Sequence, residues 1–243
     1  MARYKATIEY DGTNYKGWQS QPKGDTVQDA IENALKEIFG KKITVFGSGR
    51  TDTGVHALGQ VAHFDAETVM TEGKLLRAVN AHLPEDVRIK KLEKADKNFH
   101  ARFDAKRKTY LYKLYLSDVI SPLRRNYAHQ VYGKVDVNKM KEATGYFVGT
   151  HDFYAFSSKS DKEDTVRTLD YVNLTQNGDE VDILMCGDGF LYNMVRVIVA
   201  TIVEVGKGKI SVADIPKIFE GKDRSKSGKK LSPEGLYLVS VEY

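Results

Sequence analysis

The runs Ile43-Thr44-Val45-Phe46 and Gln60-Val61-Ala62-His63-Phe64 flank the connection Gly47-Ser48-Gly49-Arg50-Thr51-Asp52-Thr53-Gly54-Val55-His56-Ala57. The two apolar runs read as strands. Three glycines, an arginine, an aspartate and a histidine in the connection are more than a turn requires. Glycine admits backbone angles closed to other residues and lets another group approach closely. Loops held on a rigid scaffold are also where binding and catalytic groups concentrate.

Upstream, Arg3 to Tyr10 alternates and ends at the turn signal Asp11-Gly12, which predicts a strand. Asp25-Thr26 opens a helix that carries Val27, Ala30, Ile31, Ala34, Leu35, Ile38 and Phe39 on one stripe and stops at Gly40. Downstream, Thr71 starts a helix with Leu75, Leu76, Val79 and Leu83 on its apolar face, closed by Pro84, and Val87 to Leu92 is a further strand. The order is β-α-β-β-α-β.

The second half repeats the pattern. Arg107 to Leu116 reads as a strand and Val137 to Phe147 as a helix. Val166–Thr175 and Glu180–Cys186 form a hairpin around Asn177-Gly178. A long helix follows from Leu191 to Val205, a shorter one from Val212 to Phe219, and a last strand from Leu236 to Val241. The expected fold class is α+β: two ferredoxin-like halves, residues 1–105 and 106–243, with antiparallel or mixed sheets flanking a central catalytic cleft. Ser157–Asp164 and Gly221–Lys230 are polar and without periodicity, and read as mobile loops.

The 243 residues are 41% hydrophobic and 29% charged, the balance of an ordinary globular protein. No run suggests a signal peptide or a membrane span, and one cysteine, Cys186, excludes an internal disulfide, so the expected compartment is the cytoplasm. A net charge of +4 proves little by itself. Its clustering at Arg102–Lys108, Arg124-Arg125 and Lys222–Lys230, beside aromatics, fits a polyanion such as a nucleic acid.

The glycine-rich loop fits neither phosphate motif. It lacks the Gly-Lys-Ser/Thr ending of a Walker loop, and Asp52 stands where the dinucleotide fingerprint needs a third glycine. His56 and His63 lack a ligating pattern, so no metal is expected; His56 reads as a loop hydrogen-bonding group and His63 as a strand residue. Asp52 alone reads equally well as a turn-stabilising aspartate. Two further features favour chemistry. Tyr110 and Tyr112 share one face of a strand with a basic start, which suits either sheet packing or stacking on an unpaired base. Arg196 lies inside an almost wholly apolar helix, where a buried charge needs an acidic partner or a bound anion. Asp52 is the candidate partner and Asp188 the structural alternative. Arginine beside a carboxylate favours its ionised form, which suits a nucleophile. No Gly-x-Ser-x-Gly elbow or catalytic cysteine signature competes.

Gly49-Arg50-Thr51-Asp52-Thr53-Gly54-Val55-His56-Ala57 resembles the signature loop of the tRNA pseudouridine synthase A family, and the resemblance spans the chain. It includes Tyr10-Asp11-Gly12-Thr13, Gly17-Trp18-Gln19, Arg107 to Tyr112, Gly149-Thr150-His151-Asp152-Phe153, Gly189 to Arg196 and Pro233 to Leu238. Ala200 departs from it, standing where many members have glycine. The resemblance implies isomerisation of uridine to pseudouridine at positions 38, 39 and 40 of the tRNA anticodon stem-loop, by a homodimer without cofactor or metal. It implies Asp52 as nucleophile, Tyr110 as the stacking ring, Arg196 as the partner of Asp52, and Arg50 as the group that extrudes the target nucleotide. His56 is a further candidate for substrate binding. The alternative is a non-catalytic RNA-binding protein, since ferredoxin-like sheets with exposed tyrosines also serve passive readers.

Overall fold

The computed structural model describes residues 1–22, 24–158 and 164–243, so most of the predicted Ser157–Asp164 loop lies outside the described residues. The chain is α+β and divides into two compact units, Met1–Lys106 with Tyr237–Tyr243, and Arg107–Leu236.

The first unit contains β1 (Ala2–Tyr10), α1 (Val27–Phe39), β2 (Phe46–Gly47), β3 (His56–Ala66), α2 (Glu72–His82) and β4 (Val87–Ala95). The strands run antiparallel in the order β4-β1-β3, with β2 on the far edge of β3. Period-two alternation in β1 buries Tyr4, Ala6, Ile8 and Tyr10. Helix α1 is capped by Thr26, whose side chain accepts from Asp29 N, and ends at Gly40 with φ of 67°. It buries Val27, Ile31, Ala34 and Leu35. Each of the larger apolar side chains contributes about 1.5–3 kcal/mol through burial.

Strand β2 covers only Phe46–Gly47, shorter than the predicted Ile43–Phe46. The reason lies in α1. Val45 N donates to Glu32 Oε1 at 3.1 Å, and Val45 O accepts from Gln28 Nε2 at 3.1 Å. Two buried polar helix residues thus take over the hydrogen bonds a neighbouring strand would make.

The second unit contains β5 (Arg107–Leu116), β6 (His129–Val131), α3 (Val137–Thr144), β7 (Gly149–Asp152), β8 (Val166–Asn177), β9 (Glu180–Gly187), α4 (Met194–Gly206) and α5 (Ile215–Gly221). Its sheet order is β5-β9-β8-β7, with β6 parallel to β5. The β8–β9 turn falls on Gly178-Asp179, one residue later than predicted, with Asn177 paired to Glu180. Helix α4 starts at Met194 rather than Leu191 because Asn193 takes a left-handed conformation, φ 60°, at its N-cap. All of its residues but Glu204 are buried. The Gly221–Lys230 segment is anchored where a mobile loop was expected: Ser227 Oγ donates to Ala155 O at 2.6 Å and Gly228 N to Thr201 Oγ1 at 2.9 Å.

The last strand, β10 (Leu236–Glu242), differs from the expected division at residue 106. It pairs in parallel with β3, Tyr237 against His56 and Leu238 against Ala57, so residues 237–243 belong with the first unit. Gly59 permits the fit, since a Cβ there would lie 2.3 Å from Val239 O. Among the described residues, no helix is long and apolar enough to cross a membrane.

His63 offers a test of this core. It is 2% exposed, and its Nδ1 accepts from Ala101 N at 3.1 Å. Burial first, and then the neighbouring Arg3 and His100, lower its pKa from 6.5 to about 4. A histidine depressed on folding takes up its proton more readily when unfolded. Its stabilising contribution is therefore complete above pH 6.5 and lost as pH falls toward 4. We predict that urea unfolding loses on the order of 1–3 kcal/mol of stability across that window. The loss should be smaller in His63→Gln, and an identical pH slope in that variant would refute the assignment.

Candidate active site

The loop from Gly47 to Val55 is built by backbone contacts that only glycine allows. A Cβ on Gly12 would lie 2.0 Å from Val55 O, and one on Gly17 2.4 Å from Thr51 O and 3.1 Å from the Asp52 carbonyl carbon. Gly17 also holds φ of +88°. The Tyr10–Thr13 and Gly17–Gln19 segments are thus the bed on which the loop lies. Hydrogen bonds fasten it: Trp18 N donates to Thr51 O at 3.1 Å, Gly54 N to Tyr15 O at 3.3 Å, and Val55 N to Asp52 O at 3.1 Å. Tyr10 Oη and Thr51 Oγ1 are 2.7 Å apart.

Two further groups hold the loop from the strand side. Ser48 Oγ donates to Gln60 Oε1 at 2.7 Å, while Gln60 Nε2 donates to Gly49 O at 2.9 Å. Trp18, 1% exposed, packs against Gly47, where a Cβ would lie 2.3 Å from its indole nitrogen. Within this frame Thr51 is buried, Asp52 partly exposed and Arg50 exposed. The backbone is pinned on both sides of Asp52, a residue that is partly exposed.

His56 works beneath the loop. It is 2% exposed and stacks on Tyr237 with ring centroids 4.7 Å apart. Its Nδ1 lies 3.0 Å from Gly12 N and 3.2 Å from Asp11 Oδ1. A nitrogen that accepts the Gly12 N–H has no proton to give Asp11. The Gly12 bond is the shorter contact and fits the buried ring, so we read the ring proton on Nε2. This is the loop hydrogen-bonding role expected from the sequence.

In the second unit, Tyr110 of β5 is 9% exposed and meets Phe190 edge-on, with centroids 4.9 Å apart and planes at 74°. Phe190 thus fixes the attitude of the Tyr110 ring, a pairing that no sequence spacing signals. Tyr112, on the same strand face, is fully buried and donates to Ser232 O at 2.7 Å, as sheet packing requires. Burial pushes its phenol well above the ordinary tyrosine range.

Arg196 is 7% exposed. Its Nε donates to Leu231 O at 2.7 Å and its Nη1 to Asn193 Oδ1 at 3.0 Å. The left-handed Asn193 therefore sets both the start of α4 and the aim of the guanidinium. Asp188 accepts from Thr168 N at 3.0 Å and so supports the β8–β9 ladder. Ala200 lies against Gly228, whose missing Cβ would come within 2.8 Å of the Ala200 Cβ. The departure from glycine is accommodated by a glycine opposite.

Several of the basic residues singled out in the sequence are neutralised within their own unit. Arg107 pairs with Asp170 at 2.7 Å, Arg124 with Glu180 at 2.6 Å and Lys222 with Asp152 at 2.6 Å. Lys226, Lys229 and Lys230 are exposed, with no carboxylate in salt-bridge range among the described residues. Among those residues, no group of three or more His, Cys, Asp or Glu side chains is placed to hold a metal ion.

A family model for tRNA pseudouridine synthase matches residues 6–104 and 143–243, which include Asp52 and Arg196. The chain belongs to the tRNA pseudouridine synthase family. It is similar to the tRNA pseudouridine synthase A of Acetivibrio thermocellus, 48% identical over 244 residues, covering 100% of both chains. The protein of that name from Caldicellulosiruptor bescii is 45% identical, again over 100% of both. That of an Exiguobacterium species is 44% identical over 100% of this chain and 98% of its own. The family is one of isomerases that convert uridine to pseudouridine in tRNA, which sets aside a passive RNA reader.

The glycine bed yields a direct test. Gly17→Ala should lower kcat/KM for pseudouridine formation at least tenfold, because displacing a reacting group by about 1 Å can cost a hundredfold. Gly40→Ala is the control: its φ is also positive, 67°, but nothing lies within 4 Å of its Cβ position. It should cost about 1 kcal/mol of stability and leave kcat/KM unchanged. Equal losses of activity in the two variants would refute a positioning role for Gly17.

Proposed function

We propose that the protein isomerises uridine to pseudouridine at positions 38, 39 and 40 of the tRNA anticodon stem-loop, with Asp52 as the catalytic carboxylate. What carries this reading is the pinned backbone around Asp52, held by Gly12, Gly17 and Gln60, at a residue that stays partly exposed. A structural turn aspartate has no need of so constrained a seat. Tyr110, oriented by Phe190, stacks on the target base. Arg196 supplies the counter-charge for the carboxylate, Arg50 helps extrude the nucleotide and holds its phosphate, and His56 acts from below the loop. The enzyme works as a homodimer that grips one tRNA, without cofactor or metal.

The reaction breaks the N1–C1′ glycosidic bond, turns the uracil and rejoins it through C5. The C5 proton is lost and N1 gains one. Asp52 acts either by attack at C1′ or by taking the C2′ proton to give a glycal. The target base must first leave the stack, at a cost of a few kcal/mol. Stacking on Tyr110 offsets about 1–3 kcal/mol of this. Exclusion of water keeps the detached uracil from being lost.

Asp52→Asn should abolish tritium release from C5-labelled uridine in tRNA and leave tRNA affinity within severalfold; full activity would sink the assignment. Wild-type release should persist in chelator with no added cofactor. Substrates with a single uridine at 38, 39 or 40 should all be modified, and one with none of the three should not. Arg196→Met should lower kcat while thermal unfolding remains cooperative.

A further inference from the structure

Two large rings on the first unit stand in solvent and yet are held in place. Phe103 is 75% exposed and Phe46 48%. Phe103 stacks on His100, centroids 4.2 Å apart and planes at 29°. His100 meets His63 edge-on at 4.7 Å, and Phe46 stacks on His63 at 5.1 Å and 18°. The Arg102 guanidinium lies 5.8 Å from the centre of the Phe103 ring. Phe46 also meets His100 at 6.0 Å, so the four rings form one cluster with both phenylalanines open to solvent.

The backbone beneath is fixed by hydrogen bonds. His100 Nδ1 accepts from Arg102 N at 3.1 Å and from Phe103 N at 3.3 Å. Asp104 Oδ2 accepts from His100 N at 2.8 Å, and Asp104 N donates to His100 O at 3.1 Å. His63 ties in the same turn through Ala101 N. An exposed phenylalanine adds little to a core and favours aggregation. Orienting it as well adds an entropic cost, and a ligand stacked on the ring accounts for both.

The surroundings select the ligand. Arg102 and Lys106 are exposed, and the one carboxylate in the turn, Asp104, is engaged with His100 N–H. Lys97 and Asn98 are exposed and polar. A protein-docking face needs a contiguous apolar patch of several hundred Å², whereas here two exposed rings stand among exposed polar residues. Open aromatic rings beside arginine, in a protein whose family acts on tRNA, match the chemistry that stacks unpaired bases. Phe46 and Asp52 are six residues apart, so their Cα atoms lie within about 20 Å of each other.

We infer that Phe103 and Phe46, backed by His100 and Arg102, form a second stacking site that holds an unpaired nucleobase of the tRNA, separate from the base that reacts. The site depends on tRNA being the substrate and not on the role of Asp52. Its test therefore reads binding rather than turnover.

The experiment measures tRNA affinity of the full chain at several salt concentrations. Phe103→Ala should bind roughly ten- to a hundredfold more weakly, with Phe46→Ala in the same direction. The slope of log affinity against log salt should stay unchanged, because no phosphate contact is lost. Trp18 is the single tryptophan and is 1% exposed. The indole introduced by Phe103→Trp should retain affinity and report stacking as fluorescence quenching on tRNA addition. Far-UV circular dichroism controls for folding, and the exposure of Phe103 makes misfolding a minor concern. Unchanged affinity in both alanine variants, an altered salt slope, or absence of quenching would each overturn the site. A shift of oligomeric state at unchanged tRNA affinity would overturn it in favour of a contact between protein copies.

Discussion

The close approach of two backbone segments, Gly12–Gly17 against Thr51–Val55, is the constraint on which the first unit's chemistry depends. Neither segment can retreat. Strand β1 delivers Gly12 from one side, and β3 fixes Val55 and His56 from the other. The hydrogen bonds from Trp18 and Gly54 then span a gap that admits no Cβ. Because the contact is between backbones, its position varies little with side-chain motion. The Cα of Asp52 is thereby placed by the sheet, which leaves the two side-chain torsions to aim the carboxylate. Buried Trp18, Thr51 and His56 fill the space beneath, so the precision of the seat and the packing of the core have the same cause.

The second unit solves a different problem, keeping a charge inside an apolar helix. Among the bonds that hold it, Arg196 donates through Nε to the Leu231 carbonyl and through Nη1 to the Asn193 amide oxygen. Fixed acceptors of this kind hold the guanidinium in one orientation at the start of the helix. The strap from Ser227 to Ser232 is fastened to α4 through Gly228, Thr201 and Leu231, which explains why a polar, glycine-containing segment is so well anchored.

The elements with a full periodic pattern were legible in the sequence. Helix α1 showed its stripe, its Thr26 cap and its Gly40 stop, and α4 its unbroken burial. What could not be read was decided by partners distant along the chain. Val45 spends its backbone hydrogen bonds on Gln28 and Glu32, so a run that reads as a strand is mostly not one. Strands β6 and β7 have three and four residues, too few for a period to register. At the site, the loop's composition drew attention to Asp52, but the reason for Gly12 and Gly17 is visible only once the segments meet. The Tyr110–Phe190 contact likewise joins a strand to a loop some 80 residues later and leaves no local trace.

The position of β10 has a consequence for the order in which the chain is assembled. The first unit is interrupted: residues 107–236 stand between β4 and the strand that pairs with His56-Ala57. During synthesis, β1 to β4 emerge and can collapse early, but one edge of β3 lacks that partner until the whole second unit has been made. An edge of this kind invites wrong pairings while it waits. The stacking of Tyr237 on His56 is then among the last contacts to form, and the ring it covers is the one that bonds Gly12. The cover over His56 is thereby tied to the completion of the second unit, so a nascent chain cut short before β10 carries the signature residues without the ring that packs beneath them.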